Sequence, residues 1–319
     1  MPDTCRPLSS EQETRGHVPE SRTGPSVPQA PDGRLVMRAS GATDAGPVRR
    51  HNEDRFLIDA ALGLAAVADG MGGHAEGEAA SAGALAALAR GLAEAEEQTT
   101  GEAAAQVPYA VPVADTEATD IDPRWHRMVR LRHAVAGANA ALYRENRARG
   151  HAEGQGMGST LTGLQFRPEL GAFVSFHVGD SRLYRCRDGV LVQLTRDQTA
   201  YQRALESGAT GTLPPANLLL QAVGPAAAVD PELALHEARE GDLLLLCSDG
   251  LHGWVPHRQI EALLCRRGSL HTACAALLEL GRQYASRDNV TAVLVRFDGA
   301  RSPVQKKMRS SASNRAGIA

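Results

Sequence analysis

Four short runs, Thr160 to Phe166, Ala172 to Val178, Arg182 to Arg187 and Val190 to Leu194, follow one another with only a few residues between them. A parallel pair needs a crossover of about a dozen residues or more, so linkers this short restrict such runs to antiparallel pairing. Arg187-Asp188-Gly189 is a hairpin signal, and the series reads as consecutive hairpins. Helical patterns lie before it, at Ala75 to about Glu97 and Trp125 to Arg149, and after it, at Pro256 to Cys265 and Leu270 to Ala285. Further strands are expected at Arg55 to Asp59, Leu64 to Ala68, Asp242 to Cys247 and Asn289 to Phe297. Helices bracket strands without βαβ alternation, which predicts an α+β layered sandwich rather than a doubly wound parallel sheet.

Composition sets the outer limits. The chain has 319 residues, 43% of them hydrophobic, and a formal net charge of -3, enough apolar material for a large core without disulfides or structural zinc. Cys5, Cys186, Cys247, Cys265 and Cys274 form no Cys-x-x-Cys pair, which argues against a zinc ribbon or redox dithiol and for a reducing cytoplasm. No apolar run reaches the length of a membrane span, and Met1 to Arg6 lacks a signal-peptide core, so neither membrane insertion nor export is expected. Only Lys306 and Lys307 among 34 basic residues are lysine, a coding bias that says nothing about phosphate binding. Residues 1–32 have the composition of a disordered tail, and 300–319 that of a basic disordered tail. The body, 33–299, is interrupted by an acidic Pro- and Ala-rich insertion at 93–123 with nothing to converge its carboxylates.

The chemistry is carried by aspartates at strand ends. Leu64 to Ala68 delivers Asp69-Gly70-Met71-Gly72-Gly73-His74, Phe173 to Val178 delivers Gly179-Asp180-Ser181, and Leu243 to Cys247 delivers Ser248-Asp249-Gly250. Asp288-Asn289 opens the last strand, and Asn52-Glu53-Asp54 precedes the first. One Asp-Gly after a strand is an ordinary turn. Several acids gathered at one sheet edge repel one another unless cations neutralise them, and all-oxygen ligation suits Mg²⁺ or Mn²⁺.

These segments, with Arg49-Arg50-His51 before them, Gly156-Met157-Gly158-Ser159-Thr160 between them and Asp288-Asn289-Val290-Thr291 at the end, resemble the ordered motifs of bacterial metal-dependent protein phosphatases of type 2C, over about residues 34 to 298. The resemblance implies a four-layer αββα sandwich of two antiparallel sheets flanked by helices, with a two-metal site of Mn²⁺ or Mg²⁺ at one end. It makes Asp69 the bridging carboxylate and the Gly70 carbonyl a ligand of one metal. Asp249 and Asp288 bind the other, Glu53 and Asp54 hold metal-bound waters, and Asp180 with Asp249 holds a third, weaker ion. Arg49 corresponds to the phosphate-binding arginine and Arg50 to its neighbour; Asn289 and Thr291 are expected to support the Asp288 turn. A histidine that several members carry after the Asp-Gly is Met71 here, and His74 lies three residues on, so the general acid stays open. No Cys-x5-Arg signature is present for a covalent cysteinyl-phosphate route.

The chain departs from the family at Asp197-Gln198-Thr199 and Leu219-Leu220-Gln221-Ala222-Val223-Gly224. The flap expected at Thr199 to Gly224 contains Gly208, Gly211, Pro214 and Pro215, which predict a short bent surface loop. The reading is a cytoplasmic, monomeric phosphoserine/phosphothreonine protein phosphatase that opposes a Ser/Thr kinase. The alternatives are a pseudophosphatase that binds phosphoproteins without turnover and a hydrolase of another substrate; the lack of a basic stripe excludes nucleic acid as a partner.

Overall fold

The computed structural model describes residues 35–73, 75–100, 123–266 and 268–300. In chain order these form β1 (Leu35–Asp44), β2 (Asp54–Asp59), β3 (Leu64–Met71), α1 (Ala75–Thr100), α2 (Pro123–Ala148), β4 (Gly158–Ser159), β5 (Leu161–Arg167), β6 (Ala172–Val178), β7 (Arg182–Arg187), β8 (Val190–Gln193), α3 (Ala200–Glu206), β9 (Glu232–Glu237), β10 (Leu243–Cys247), α4 (Asp249–His252), α5 (His257–Leu264), α6 (Leu270–Gln283) and β11 (Val290–Gly299). One sheet has the order β1-β11-β10-β7-β8 and the other β2-β3-β5-β6-β9, with β4 on β3, and all pairs are antiparallel.

Strand alternation builds the layers. On β3, Leu64, Ala66 and Ala68 face α1 and α2, while Ala65 and Val67 face the second sheet. On β11, Val290, Ala292 and Leu294 meet α5 and α6, while Val293, Val295 and Phe297 turn inward. Period-2 side chains therefore fill three cores, one between the sheets and one under each helix layer. Phe166 and Phe173 pack on Phe297 across the central core, with ring centroids 4.5 and 5.7 Å apart. Among the described residues no helix is long and apolar enough to cross a membrane.

Several expectations are corrected. β5-β6 and β7-β8 are hairpins, but Gly179-Asp180-Ser181 between β6 and β7 carries the chain from one sheet to the other. Gly179 has φ 104°, and a Cβ there would lie 2.7 Å from Thr160 Cγ2, so glycine suits this crossing. The acidic insertion is shorter than 93–123, because α1 continues to Thr100 and α2 begins at Pro123. Within it Glu96 accepts hydrogen bonds from Arg127 and Arg167, which fastens the end of α1 to α2 and β5. The flap is not loop throughout: Thr199 caps α3 by accepting from the Gln202 amide at 3.1 Å. The expected tail at 1–32, all but the first residue of the expected tail at 300–319, His74 and residues 101–122 of the insertion lie outside the described residues.

Candidate functional site

The elements that deliver the acids end at the same edge of the sandwich. Asp54 and Asp69 stand opposite each other in the β2-β3 register. Cys247 pairs with Ala292, so Asp249 just beyond β10 and Asp288 just before β11 emerge from adjacent strands. Asp180 lies at the crossing between the sheets.

Asp69 is clamped through its backbone. Its amide donates to Thr160 Oγ1 at 2.9 Å, and its carbonyl accepts from the Thr160 amide at 2.9 Å and Ser159 Oγ at 3.1 Å. The Gly-Met-Gly-Ser-Thr segment thus holds the central aspartate in position. A Cβ on Gly70 would sit 1.9 Å from the Gly77 carbonyl, and one on Gly77 would sit 1.9 Å from Glu53 Oε2. Two glycines therefore let β3, α1 and the Glu53 carboxylate meet.

Asp54 is fully buried, and its Oδ2 accepts from Ser248 Oγ at 2.6 Å and Thr291 Oγ1 at 2.7 Å. Asp288 accepts from Arg49 Nη2 at 2.8 Å and from the Asn289 amide at 2.9 Å. Asn289 accepts from the Glu53 amide at 2.8 Å and donates to the Ala45 and His51 carbonyls. It joins the Asp288 turn to the loop that carries Arg49 and Glu53. Sequence reasoning anticipated Asn289 as a support of the Asp288 turn, but Thr291, expected to do the same, holds Asp54 and meets Thr43 instead, and Ser248 and His252 were missed. The His252 Nε2–H donates to the Asp180 carbonyl at 3.0 Å. Burial holds its imidazole neutral, pushed down to about 3. The only sequence signal for either residue is its position beside Asp249.

The electrostatics are those of charges gathered in a poorly solvated place. Burial pushes Asp54 up to about 7, helped by the charges of Asp249 and Asp288. Burial and then the charge of Asp249 push Asp180 up to about 7. Asp69 is raised well above the carboxylate range by burial and by Asp54, Asp249, Asp180 and Asp288. Burial and Asp288 raise Asp249, opposed by its hydrogen bond with Asp69. The acids are paired off here, Asp69 with Asp249 and Asp288 with Arg49, and no cluster of three His, Cys, Asp or Glu among the described residues is arranged as a ready cage for a metal. The donor chemistry nevertheless fits a hard divalent cation. Asp54 Oδ1 and Asp249 Oδ1 are buried without any hydrogen-bond partner, and an unpaired buried carboxylate oxygen is costly unless something positive satisfies it. Arg49 is half exposed at the mouth of this group, and Arg50 is exposed beside it.

Solved structures share this two-sheet antiparallel sandwich with helices outside. The *Pseudomonas aeruginosa* type VI secretion regulator PppA matches with TM-score 0.66 and 30% identity, over 83% of this chain and 99% of that one. The catalytic domain of the serine/threonine protein phosphatase PstP in complex with two manganese ions matches with TM-score 0.65 and 34% identity, over 83% and 99%. The protein phosphatase 2C profile matches residues 49–297, and the chain belongs to that family. *Mycobacterium tuberculosis* PstP is 35% identical over 266 residues, 82% of this chain but 45% of PstP, so the chain spans less than half of that relative. The serine/threonine phosphatase Stp of *Listeria monocytogenes* is 32% identical over 272 residues, 82% of this chain and 96% of Stp.

Proposed function

We propose that this chain hydrolyses phosphoserine and phosphothreonine in proteins, as the bacterial, cytoplasmic counterpart of a Ser/Thr kinase, and that residues 33–299 are its catalytic unit. The observation that carries the reading is the set of buried, mutually repelling carboxylates at one sheet edge, two of whose oxygens have no partner.

Asp69, the Gly70 carbonyl, Asp249 and Asp288 would hold two ions of Mn²⁺ or Mg²⁺, with Glu53 and Asp54 binding through water and Asp180 with Asp249 taking a third. Such ions supply an activated water and shield the phosphate's charge. Ser248 and Thr291 fix one oxygen of Asp54 and leave the other available. Arg49 exchanges its bond to Asp288 for a forked contact with phosphate oxygens. The clamp on the Asp69 backbone keeps the central carboxylate from moving as charge builds up. No protein nucleophile is required.

The test is hydrolysis of a phosphoserine and phosphothreonine peptide panel, with p-nitrophenyl phosphate alongside, under Mn²⁺, Mg²⁺ and EDTA. Turnover that needs a divalent ion supports the reading. Phosphopeptide binding without turnover under every metal would leave a pseudophosphatase.

A further inference from the structure

Away from the acidic edge, two thiols meet. Cys186 lies near the end of β7 remote from Asp180 and is 7% exposed, whereas Cys265 follows the last turn of α5 and is exposed. The Cys265 Sγ donates to the Gly189 carbonyl at 3.3 Å, and the Cys186 thiol hydrogen-bonds with the Gly189 backbone and with the Cys265 thiol. Both sulfurs therefore meet at the backbone of Gly189 in the β7-β8 turn. That turn is tight, with Asp188 and Gly189 at φ 53° and 81°. α5 is fastened to the same hairpin, since Glu261 Oε1 accepts from the Leu191 amide at 2.9 Å and His257 Nε2 donates to the Leu191 carbonyl at 3.0 Å. The elements bearing the sulfurs are thus held in register.

We propose that Cys186 and Cys265 are a modification site: hydrogen peroxide oxidises the exposed Cys265, and the buried Cys186 resolves it to an intramolecular disulfide. In the first step the Cys265 thiolate attacks one peroxide oxygen, the O–O bond breaks, and a sulfenic acid forms with release of hydroxide. In the second, the Cys186 sulfur attacks the sulfenic sulfur, the S–S bond forms, the S–O bond breaks, and water leaves with the Cys186 proton. The two electrons given up by the thiols reduce the peroxide.

The division of roles follows from exposure. Cys247 and Cys274 are fully buried, and the Cys274 thiol is occupied by the Ser40 carbonyl at 3.2 Å, so among the described cysteines peroxide reaches Cys265 first. Burial, then the charge of Cys265 and its hydrogen bond, push the Cys186 thiol up to about 11. A resolving sulfur in contact stops the reaction short of the irreversible sulfinic acid.

The test treats the full chain with hydrogen peroxide, followed by intact mass and peptide mapping without reductant. The expected result is loss of two hydrogens, a linked Cys186–Cys265 peptide, reversal by dithiothreitol, and a Tm raised by about 5 °C or more in the oxidised form. Cys265→Ser, an exposed change compatible with the fold, abolishes both the linked peptide and the Tm shift. Sulfinic acid at Cys265 with Cys186 still reduced would overturn the proposal, as would a link from Cys265 to Cys5 or to a second molecule.

Discussion

Arg49 and Arg50 are neighbours in sequence with different surroundings. Arg49 bonds Asp288 at the mouth of the acidic group, and the proposed function assigns its guanidinium to a phosphate dianion. Because that charge exists in the ground state, Arg49→Ala should raise KM about tenfold and lower kcat less, while Arg50→Ala changes neither much. Steady-state kinetics on p-nitrophenyl phosphate decide it, and a larger effect at Arg50 would mean that the wrong arginine has been assigned. A second residue-scale prediction concerns His177, which is buried and spans Thr162 Oγ1 at 2.8 Å and the Arg196 carbonyl at 2.9 Å. Burial pushes it down to about 4; the Arg196 carbonyl and Asp197 pull upward, and Arg182 pulls downward. A depressed histidine is neutral in the fold, so its contribution is complete above the unfolded value near 6.5 and is lost as pH falls towards 4. The loss is on the order of 3 kcal/mol. Urea unfolding in EDTA across that window should therefore show a steeper fall for the native chain than for His177→Gln.

At the scale of elements, the flap is a short helix followed by a loop. α3 is anchored near the acidic edge, because Gln198 Oε1 accepts from the Gly179 amide at 2.9 Å and the Leu220 amide donates to the Gln198 carbonyl at 2.8 Å. Beyond it the chain turns at Gly208 and Gly211, and Leu205, Leu218 and Leu220 stay exposed. Replacing residues 209–216 with a Gly/Ser linker of equal length should leave small-ester hydrolysis nearly intact and change kcat/KM for a phosphoprotein severalfold. Parallel loss of both activities with a lower Tm would mean that the loop only covers core. The central strands were legible because β3, β5, β6, β10 and β11 are apolar runs bounded by turns. β1 was not: Arg38, Ser40, Gly41, Thr43 and Asp44 give it no apolar run, and it is a strand because β11 pairs with it along its length. Gly41 is needed there, since a Cβ would lie 2.6 Å from the Phe56 ring. β9 is a half-exposed edge strand held by β6, again a tertiary decision. The sheet change at Asp180 was equally invisible, because a tight turn looks the same whether it closes a hairpin or crosses a sandwich. In the acidic group the aspartates announced themselves by their turns, whereas Ser248 and His252 act through contacts that only the assembled sheets create.

Across the whole molecule, the fold accepts an electrostatic cost at one edge. Two sheets, two helix layers and three apolar cores provide the stability, and the carboxylates of Asp54, Asp69, Asp180, Asp249 and Asp288 oppose it when no cation is present. Neutralising one of them should then have opposite consequences with and without metal. Asp69→Asn or Asp249→Asn removes a repelling charge without touching a core, so in EDTA either variant should melt at the same temperature as the native chain or above it, by roughly 2–4 °C for each kcal/mol relieved. Manganese should reverse the order. At a hundredfold excess over its dissociation constant it stabilises a binding fold by about 2.7 kcal/mol, a gain that the variants lose in large part along with turnover. Paired melts in EDTA and Mn²⁺, with an assay on the same samples, separate this from a structural role. A variant that melts well below the native chain in EDTA would show that the carboxylate supports the fold, and one that stays active and gains stability from Mn²⁺ would show that the metal lies elsewhere.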